Sequence, residues 1–173
     1  FNQAIRVIEE CRPKYFIFEN VKNLLSINGG ADFVYILKTI ADIGYNGEWQ
    51  LCNTSWFLPQ NRERVYFVGY PRGGSRPKVF PIGQGNKTHG RNKRLFDISS
   101  TLTANYANKH FGLGETYIKT NKGIRRLTPI EFERLQGFPD NWTKGISDTQ
   151  RYKCLGNSIS IPIAQSIVNK LYV

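Results

Sequence analysis

The 173 residues suggest one domain with at most a small addition, and the 40% hydrophobic content is enough for a core. Lysines and arginines number 24 against 13 acids, and a net charge of +11 favours a polyanionic partner such as nucleic acid, although a merely basic or ribosome-like protein shows the same balance. No apolar run reaches the roughly 18 residues of a membrane span. Cys11, Cys52 and Cys154 are odd in number and form no CxxC pair, which supports neither a zinc site nor a disulfide framework, so we expect a cytoplasmic protein.

The chain opens with a helix followed by a buried strand. Apolar residues at helical spacing predict a helix over Phe1–Cys11, which Pro13 ends. The apolar run Tyr15–Phe18 predicts a buried parallel strand. Glu19–Val21 follow it directly, and open α/β sheets place ligand-binding groups at the carboxyl ends of strands. A solvated loop glutamate at position 19 is the structural alternative.

Further helices and strands continue this alternation. The pattern predicts a second helix with Asp32 as its N-cap and Gly44 as its closing residue. Strands are predicted over Glu48–Thr54 and Val65–Tyr70, and this order of elements is that of the second half of an α/β sheet. No Gly-rich turn of the GxGxxG type follows a strand, so a complete nucleotide-binding half is missing.

The composition changes between Pro71 and Arg94. This stretch has five glycines, three prolines, seven cations and no acid. Its charge predicts contacts to phosphates, which give affinity without sequence readout, although a flexible basic linker would have the same composition. His89, with no partner at ligand spacing, is interpreted as a loop residue. The seven cations are Arg72, Arg76, Lys78, Lys87, Arg91, Lys93 and Arg94.

The last third combines a small sheet region with two helices. Short strands are predicted over Ile98–Ile118 and a polar turn over Lys119–Lys122. A short helix should begin at Thr128, which is followed by a proline and by a glutamate three residues later, the pattern of a capping box. Asp140–Lys153 is predicted to be a polar connection. A final helix is predicted from Ile161 or the next residue to Tyr172, with an apolar stripe of Ile163, Ile167 and Leu171.

Four segments of the chain occur in the order of one known family. They are Phe18–Val21, Gln60–Arg64, Arg125–Trp142 and Gly156–Ala164. They resemble the ENV, QxRxR, RxLTPxE and GNS motifs of the DNA cytosine-5 methyltransferases. Each short match is weak alone, but four in sequence span nearly the whole chain. The chain is therefore identified as resembling the C-terminal portion of that family.

The resemblance implies a covalent methyl transfer to a base flipped out of the duplex. In the family a cysteine thiolate adds to C6 of cytosine, and C5 then takes a methyl group from S-adenosylmethionine. The resemblance implies that Glu19 shares a proton with N3 and that Arg64 stabilises charge at O2. Arg62 would support the site by pairing with acidic or backbone groups, although an arginine pair is more often a surface feature.

The resemblance also implies where cofactor and DNA would bind. Gly156, Asn157 and Ser158 would complete the pocket for S-adenosylmethionine, whose main part we expect in an N-terminal half, although a helix N-terminus capped by Ser158 fits the same residues. Double-stranded DNA is the expected partner, on a short basic target-recognition region. Its contact candidates are the seven cations of residues 71–94 together with Thr101 and Thr103.

Two family features are missing from the chain. None of the three cysteines follows a proline at the position of the family's Pro-Cys nucleophile, and the Gly-rich cofactor turn is absent. We therefore expect part of a bacterial or phage restriction-modification enzyme, inactive alone, whose other half carries the cysteine. A non-catalytic DNA-binding or regulatory subunit is the main alternative, and an RNA- or ribosome-associated module is a weaker one because no RRM or KH pattern occurs.

The expected fold is α/β: the second half of a Rossmann-like, S-adenosylmethionine-dependent methyltransferase sheet with a small, mostly β, basic DNA-recognition subdomain. Three consecutive regions follow from this expectation. Residues 1–70 would form half of the catalytic domain, and residues 71–124 the basic subdomain. Residues 125–173 would return to the catalytic domain.

Overall fold

A computed structural model of the protein describes residues 1–83, 98–108 and 116–172. The chain forms two compact units. Unit 1 comprises Phe1–Cys52, Glu63–Ile82 and Ser166–Val173, and unit 2 comprises Asn53–Arg62 and Gly83–Gln165. Each unit is therefore built from separate stretches of the sequence. The three consecutive regions expected from the sequence remain a prediction.

Unit 1 contains a three-stranded sheet with helices, an α/β arrangement. In this sheet, the third strand of the chain lies between the first and the second. Two short 3₁₀ helices, Lys22–Leu25 and Ile27–Gly30, follow the first strand. The main elements are α1 (Asn2–Cys11), β1 (Phe16–Val21), α2 (Ala31–Asp42), β2 (Tyr45–Asn53) and β3 (Glu63–Pro71).

The first strand differs from its prediction in length and in the sense of its pairing. Residues Glu19–Val21 belong to β1 rather than following it. β1 runs antiparallel to β3, from Phe16 opposite Gly69 to Val21 opposite Arg64. The prediction of a parallel strand is wrong for this pair, because an apolar run indicates burial without specifying direction. The pairing with β3 continues through these three residues, up to Val21 opposite Arg64.

Helix α2 begins at a glycine instead of at the predicted aspartate. Gly30, with a φ of 87°, is the N-cap and no side chain caps the helix. Asp32 lies in the first turn, where its carboxylate accepts hydrogen bonds from Asn28 Nδ2 at 3.1 Å. A negative charge there still suits the positive end of the helix dipole. The predicted closing residue is confirmed, since Gly44 follows the helix with a φ of 84°.

The core of unit 1 is apolar on the faces that the helical spacing predicts. In α2, Ile40 is buried in one of two apolar clusters, Phe33 and Leu37 pack against the other, and Ile36 packs against both. One cluster lies around α1 and β1, and the other around the centre of β3. Their buried members are Ile5, Ile8, Phe16, Ile40 and Tyr45 in the first cluster and Leu24, Val65 and Phe67 in the second.

Unit 2 consists of a β-hairpin and helices. Its core includes Leu102, Tyr106, Leu127, Phe132 and Leu155. No helix among the described residues is long and apolar enough to span a membrane. The elements are β4 (Tyr117–Thr120), β5 (Gly123–Arg126), α3 (Pro129–Gln136), α4 (Asp148–Asn157) and α5 (Ile161–Leu171), the last of which continues into unit 1.

Helix α3 has the capping box that its sequence predicts. Thr128 Oγ1 accepts a hydrogen bond from the Glu131 backbone N–H, and Glu131 accepts one from the Thr128 N–H at 2.7 Å. Pro129 occupies the first turn and Gly137 ends the helix with a φ of 87°. The local sequence alone therefore determines both ends of this helix.

Helix α4 replaces the second part of the predicted polar connection between Asp140 and Lys153, from Asp148 onward. Its N-cap is Ser147, whose hydroxyl accepts a hydrogen bond from the Gln150 N–H. The apolar periodicity is too weak to reveal it, because Leu155 and the half-buried Tyr152 carry most of its packing. Tertiary contacts stabilise this helix where its pattern is poor.

The short strands predicted over Ile98–Ile118 are mostly absent from the described part of that range. Residues 98–108 contain an isolated bridge from Ser99 to Gln60 and a 3₁₀ turn over Tyr106–Asn108. Strand β4 covers only the end of the predicted range. Thr and Ser side chains stabilise this irregular backbone, as in the hydrogen bond from the Ser100 N–H to Thr116 Oγ1 at 2.8 Å.

Candidate functional site

The two residues with predicted roles on the target base form an ion pair in unit 1. Arg64 Nε lies 3.0 Å from Glu19 Oε1, and 14% and 26% of the respective side chains are exposed. Glu19 Oε1 accepts no aligned hydrogen bond in the described structure, so the contact is chiefly electrostatic. Arg64 Nη1 donates to the Glu63 carbonyl at 2.8 Å. A carboxylate and a guanidinium are therefore held together at a partly open surface.

A second, more exposed ion pair lies beside this one and was not predicted. Lys22 Nζ contacts Glu63 Oε2 at 2.8 Å, linking the end of β1 to the start of β3. With 57% and 38% of the side chains exposed, such a pair contributes about 0–1 kcal/mol. No local pattern could reveal it, because the two residues meet only through the pairing of the strands.

Arg62 lies in unit 2 and is buried, with only 2% of its surface exposed. Its Nη1 donates to the Leu102 carbonyl at 3.1 Å, and its Nη2 donates to the carbonyls of Gly156 at 3.2 Å and Ser158 at 2.8 Å. Backbone carbonyls thus bind a buried cation here, one of the two partner types that the sequence analysis expected. Arg62 therefore connects the QxRxR segment to the GNS segment.

The residues Gly156, Asn157 and Ser158 of the GNS segment lie at the end of a helix, not at the start of one. Gly156 and Asn157 are the last residues of α4, and Ser158 is its C-cap, with its hydroxyl donating to the Leu155 carbonyl at 2.7 Å. The alternative that Ser158 is an N-cap is therefore wrong. A Cβ on Gly156 would clash with the backbone of Thr103 and Ala104, so only glycine allows this close approach.

Asn157 is the exposed member of the GNS segment. Its side chain makes no hydrogen bond within the described residues, whereas the carbonyls on either side are bound by Arg62. Asn157 is thus the one side chain of the three whose polar atoms are available to a ligand.

Thr101 and Thr103, predicted to contact DNA, lie beside the QxRxR and GNS segments. Thr101 Oγ1 donates to the Asn61 carbonyl at 2.7 Å. Thr103 packs against Gly156, and its carbonyl accepts a hydrogen bond from the Tyr106 N–H. Thr101 is therefore bound to the QxRxR segment and Thr103 packs against the GNS segment, and contact with DNA stays a prediction for each.

The first cations of the basic stretch have partners within unit 1. Arg72 Nη2 donates to the Ala41 carbonyl at 2.7 Å, and Arg76 lies 3.3 Å from Glu48. Lys78 is exposed and has no side-chain partner in the described part of the chain. The predicted contact residues Lys87, Arg91, Lys93 and Arg94, together with His89, lie outside the described residues.

The same stretch has apolar anchors that its composition did not indicate. Val79 is fully buried and Ile82 is 3% exposed. The Val79 N–H donates to Glu48 Oε1, and the Ile82 N–H donates to Gln50 Oε1 at 2.9 Å. Residues up to Ile82 are therefore fixed along β2 by side-chain hydrogen bonds to their backbone.

Asn53 is a further site residue that the sequence analysis missed. Its Oδ1 accepts hydrogen bonds from the backbone N–H groups of Ser55 and Arg62, and its Nδ2 donates to Asn61 Oδ1 at 2.8 Å. Asn53 thus closes the loop that carries Arg62. Asn53 is the last residue of β2, and an asparagine at the end of a strand is a turn signal that could have revealed it.

The family described as C-5 cytosine-specific DNA methylase matches this chain over residues 1–110 and 82–172. The type II methyltransferase M1.ScrFI of Lactococcus lactis subsp. cremoris is 32% identical over 99% of this chain and 54% of its own length. M.SsoII of Shigella sonnei is 31% identical, with 99% and 56% covered. This chain therefore spans about half the length of these two relatives.

Solved structures share the fold at low sequence identity. The Dnmt2 methyltransferase of S. pombe has a TM-score of 0.70 at 19% identity, with 98% of this chain and 71% of that chain covered. A DNMT2 mutant of Spodoptera frugiperda has a TM-score of 0.73 at 17% identity, with 100% and 71% covered. The four ordered motifs, this fold and the family match over nearly the whole sequence agree: the chain belongs to the C-5 cytosine-specific DNA methylases.

Proposed function

We propose that this chain is part of a DNA cytosine-5 methyltransferase of a bacterial or phage restriction-modification system. The complete enzyme would transfer a methyl group from S-adenosylmethionine to C5 of a cytosine flipped out of duplex DNA. The observation that carries the proposal is the pairing of Glu19 with Arg64 on adjacent strands, at 3.0 Å. The family membership and the names of the type II relatives support it.

The chemistry of the pair fits the polar edge of cytosine. When a nucleophile adds to C6, electron density moves toward N3 and O2. A proton shared between Glu19 and N3 stabilises that density, and an N–H of Arg64 donated to O2 does the same. Because Glu19 and Arg64 lie on paired strands, the carboxyl group and the guanidinium need little reorganisation during the reaction.

The nucleophile would come from another part of the enzyme. Cys52 is fully buried, and burial raises the pKa of its thiol to about 12, so it stays protonated near neutral pH. Cys11 and Cys154 are exposed, on α1 and α4. None of the three follows a proline as the family's nucleophile does.

The GNS segment fits a supporting role in cofactor binding. S-adenosylmethionine supplies the methyl group. The side-chain amide of Asn157 is exposed and makes no hydrogen bond within the described residues, and it would contact this cofactor. Gly156 and Ser158 hold the backbone in place through their carbonyl bonds to Arg62. Arg62 is therefore a positioning residue in this proposal and does not touch the base.

The proposal is tested by complementation and trapping. The chain would be co-expressed with the N-terminal part of M1.ScrFI, and the pair incubated with S-adenosylmethionine and duplex DNA in which the target cytosines are 5-fluorocytosine. We expect a covalent protein–DNA complex on denaturing gels from the pair, and none from the chain alone. A stable, folded pair that never forms the complex would contradict the proposal, and so would trapping by the chain alone.

A further inference from the structure

The hairpin of β4 and β5 projects a short basic turn from unit 2. The strands pair from Tyr117 opposite Arg126 to Thr120 opposite Gly123, with the turn at residues 121–122. Gly123 has a φ of 118°, which favours glycine there. Thr120 Oγ1 accepts a hydrogen bond from the Lys122 N–H at 3.3 Å and donates to the Gly123 carbonyl at 2.9 Å. The turn is therefore fixed by its own hydrogen bonds.

The hairpin carries four cations and no acid between Tyr117 and Arg126. Two of the four cations bind other groups of the protein. Arg125 donates from both Nη atoms to the Glu131 carboxylate at 2.8 Å, which also raises the pKa of the arginine. Arg126 donates to the Ala107 carbonyl, and its guanidinium lies 5.9 Å from the centre of the Tyr106 ring.

The remaining two cations are free to bind an external group. Lys119 and Lys122 are exposed, and neither side chain has an ion pair or a hydrogen bond within the described residues. Alternation along β4 explains the direction of Lys119, because its neighbour Ile118 packs against the core of unit 2. Ile124, opposite Lys119, is 66% exposed.

We propose that the β4–β5 hairpin is a second contact to duplex DNA, in which Lys119 and Lys122 each bind a backbone phosphate. Two unpaired lysines with no acid between them attract a polyanion, and lysine binds phosphate as a point charge without reading the base. This inference rests on the proposed function for its ligand. It adds a contact outside the stretch of residues 71–94 and outside the two threonines.

The test compares two double variants of the chain by fluorescence anisotropy with a labelled duplex over a range of salt concentrations. Each phosphate contact contributes about −0.9 to the slope of log affinity against log salt. Lys119→Gln with Lys122→Gln should therefore reduce the steepness of that slope by about 1.8. The control is Lys14→Gln with Lys38→Gln, which removes the same charge from exposed positions of unit 1.

The outcomes separate this inference from the function on which it rests. A reduced slope for the hairpin pair with an unchanged slope for the control pair supports the hairpin contact. Salt-dependent binding by the parent chain with the same slope for the hairpin pair contradicts the hairpin contact alone. An equal reduction in both pairs contradicts it too, because the effect would then reflect net charge. A parent chain that binds no duplex at any salt concentration contradicts the hairpin contact, whereas the trapping experiment with the complemented pair tests the proposed function separately.

Discussion

Glu19 and Arg64 meet because of the register between two strands. Glu19 lies opposite Tyr66, and Val21 lies opposite Arg64. Since alternate residues of a strand share a face, Glu19 and Arg64 are diagonal neighbours on one face of the sheet, within reach of long side chains. A slip of one residue would move one of them to the other face. The candidate site therefore depends on the backbone pairing of β1 with β3.

In the complemented enzyme, Glu19→Gln and Arg64→Ala should each lower the single-turnover methylation rate on the order of 10²-fold or more. The reason is that both side chains are proposed to stabilise charge that develops during the reaction. DNA affinity should fall much less. Glu63→Gln is the matched control, because it alters a neighbouring, more exposed carboxylate. Single-turnover rates close to the parent's in both site variants would contradict the assigned roles.

A glycine opposite an aromatic residue determines the packing beside the site strands. Gly69 lies opposite Phe16, and the Phe16 ring covers the place where a Cβ on Gly69 would be. Phe16 is buried and packs against Tyr45, with ring centres 5.5 Å apart. The ring therefore cannot leave without disturbing the core.

Gly69→Ala should lower the free energy of unfolding by about 1–3 kcal/mol, the usual cost of overpacking a core. Urea denaturation followed by circular dichroism measures it. Gly47→Ala is the matched control, since its Cβ would lie 3.6 Å from the nearest atom, an ordinary contact. The control should stay within about 0.5 kcal/mol of the parent. A similar loss of unfolding free energy in both variants would show that the Phe16 ring is not the cause of the destabilisation.

At the scale of elements, α3 combines a local cap with an ion pair from the hairpin. Glu131 completes the capping box and also accepts two hydrogen bonds from Arg125. These bonds to Arg125, helped by bonds from Thr128 and opposed by desolvation, lower the pKa of Glu131 to about 2. The ionised carboxylate therefore stabilises the start of the helix.

The lowered pKa predicts the pH range in which this stabilisation disappears. A carboxylate whose pKa is lower in the folded state stabilises the fold fully above its ordinary value of 4.5, and it loses that contribution as the pH falls toward 2. Glu131→Gln should therefore be less stable than the parent above pH 4.5, with the difference shrinking toward pH 2. Urea midpoints measured across this range test the prediction.

The control for this pH dependence is Glu9→Gln, which replaces an exposed carboxylate on α1 that has no ion pair in the described structure. Its stability should follow the parent's at every pH. A constant difference between Glu131→Gln and the parent across the acid range would exclude the ionised carboxylate as the cause.

At the scale of the whole molecule, not every cation that contributes to the net charge of +11 is available to a ligand. Arg72 stabilises the fold by donating to the Ala41 carbonyl. Lys78, six residues further along the chain, has no side-chain partner within the described residues. Two cations of the same stretch should therefore do different things. One should contribute mainly to stability and the other to the electrostatic attraction of DNA.

The affinity for duplex DNA should fall steeply as the salt concentration rises. Variants of these two cations should separate attraction to phosphates from stabilisation of the fold. Lys78→Gln should reduce the steepness of the log–log slope by about 0.9 without changing stability. Arg72→Gln should leave the slope nearly unchanged and lower the free energy of unfolding by about 0.5–1.5 kcal/mol, because it removes a hydrogen bond. Anisotropy titrations and urea denaturation measure the two effects. A flat salt response in the parent would contradict the phosphate contacts.

Local signals in the sequence determined several features by themselves. The capping box from Thr128 to Glu131 specified α3, and the stripe of Ile163, Ile167 and Leu171 specified α5, where all three are buried. The order of the four motifs identified the family. These signals act within one or two helical turns, or within one short segment, so no distant contact is needed to read them.

The tertiary structure alone decided how distant segments meet. The antiparallel pairing of β1 with β3, the contact of Glu19 with Arg64 and the carbonyl partners of Arg62 all join residues far apart in the chain. Helix α4 likewise depends on packing more than on its own pattern. Burial and strand register arise from the whole fold at once, because each is fixed by partners that local propensity does not specify.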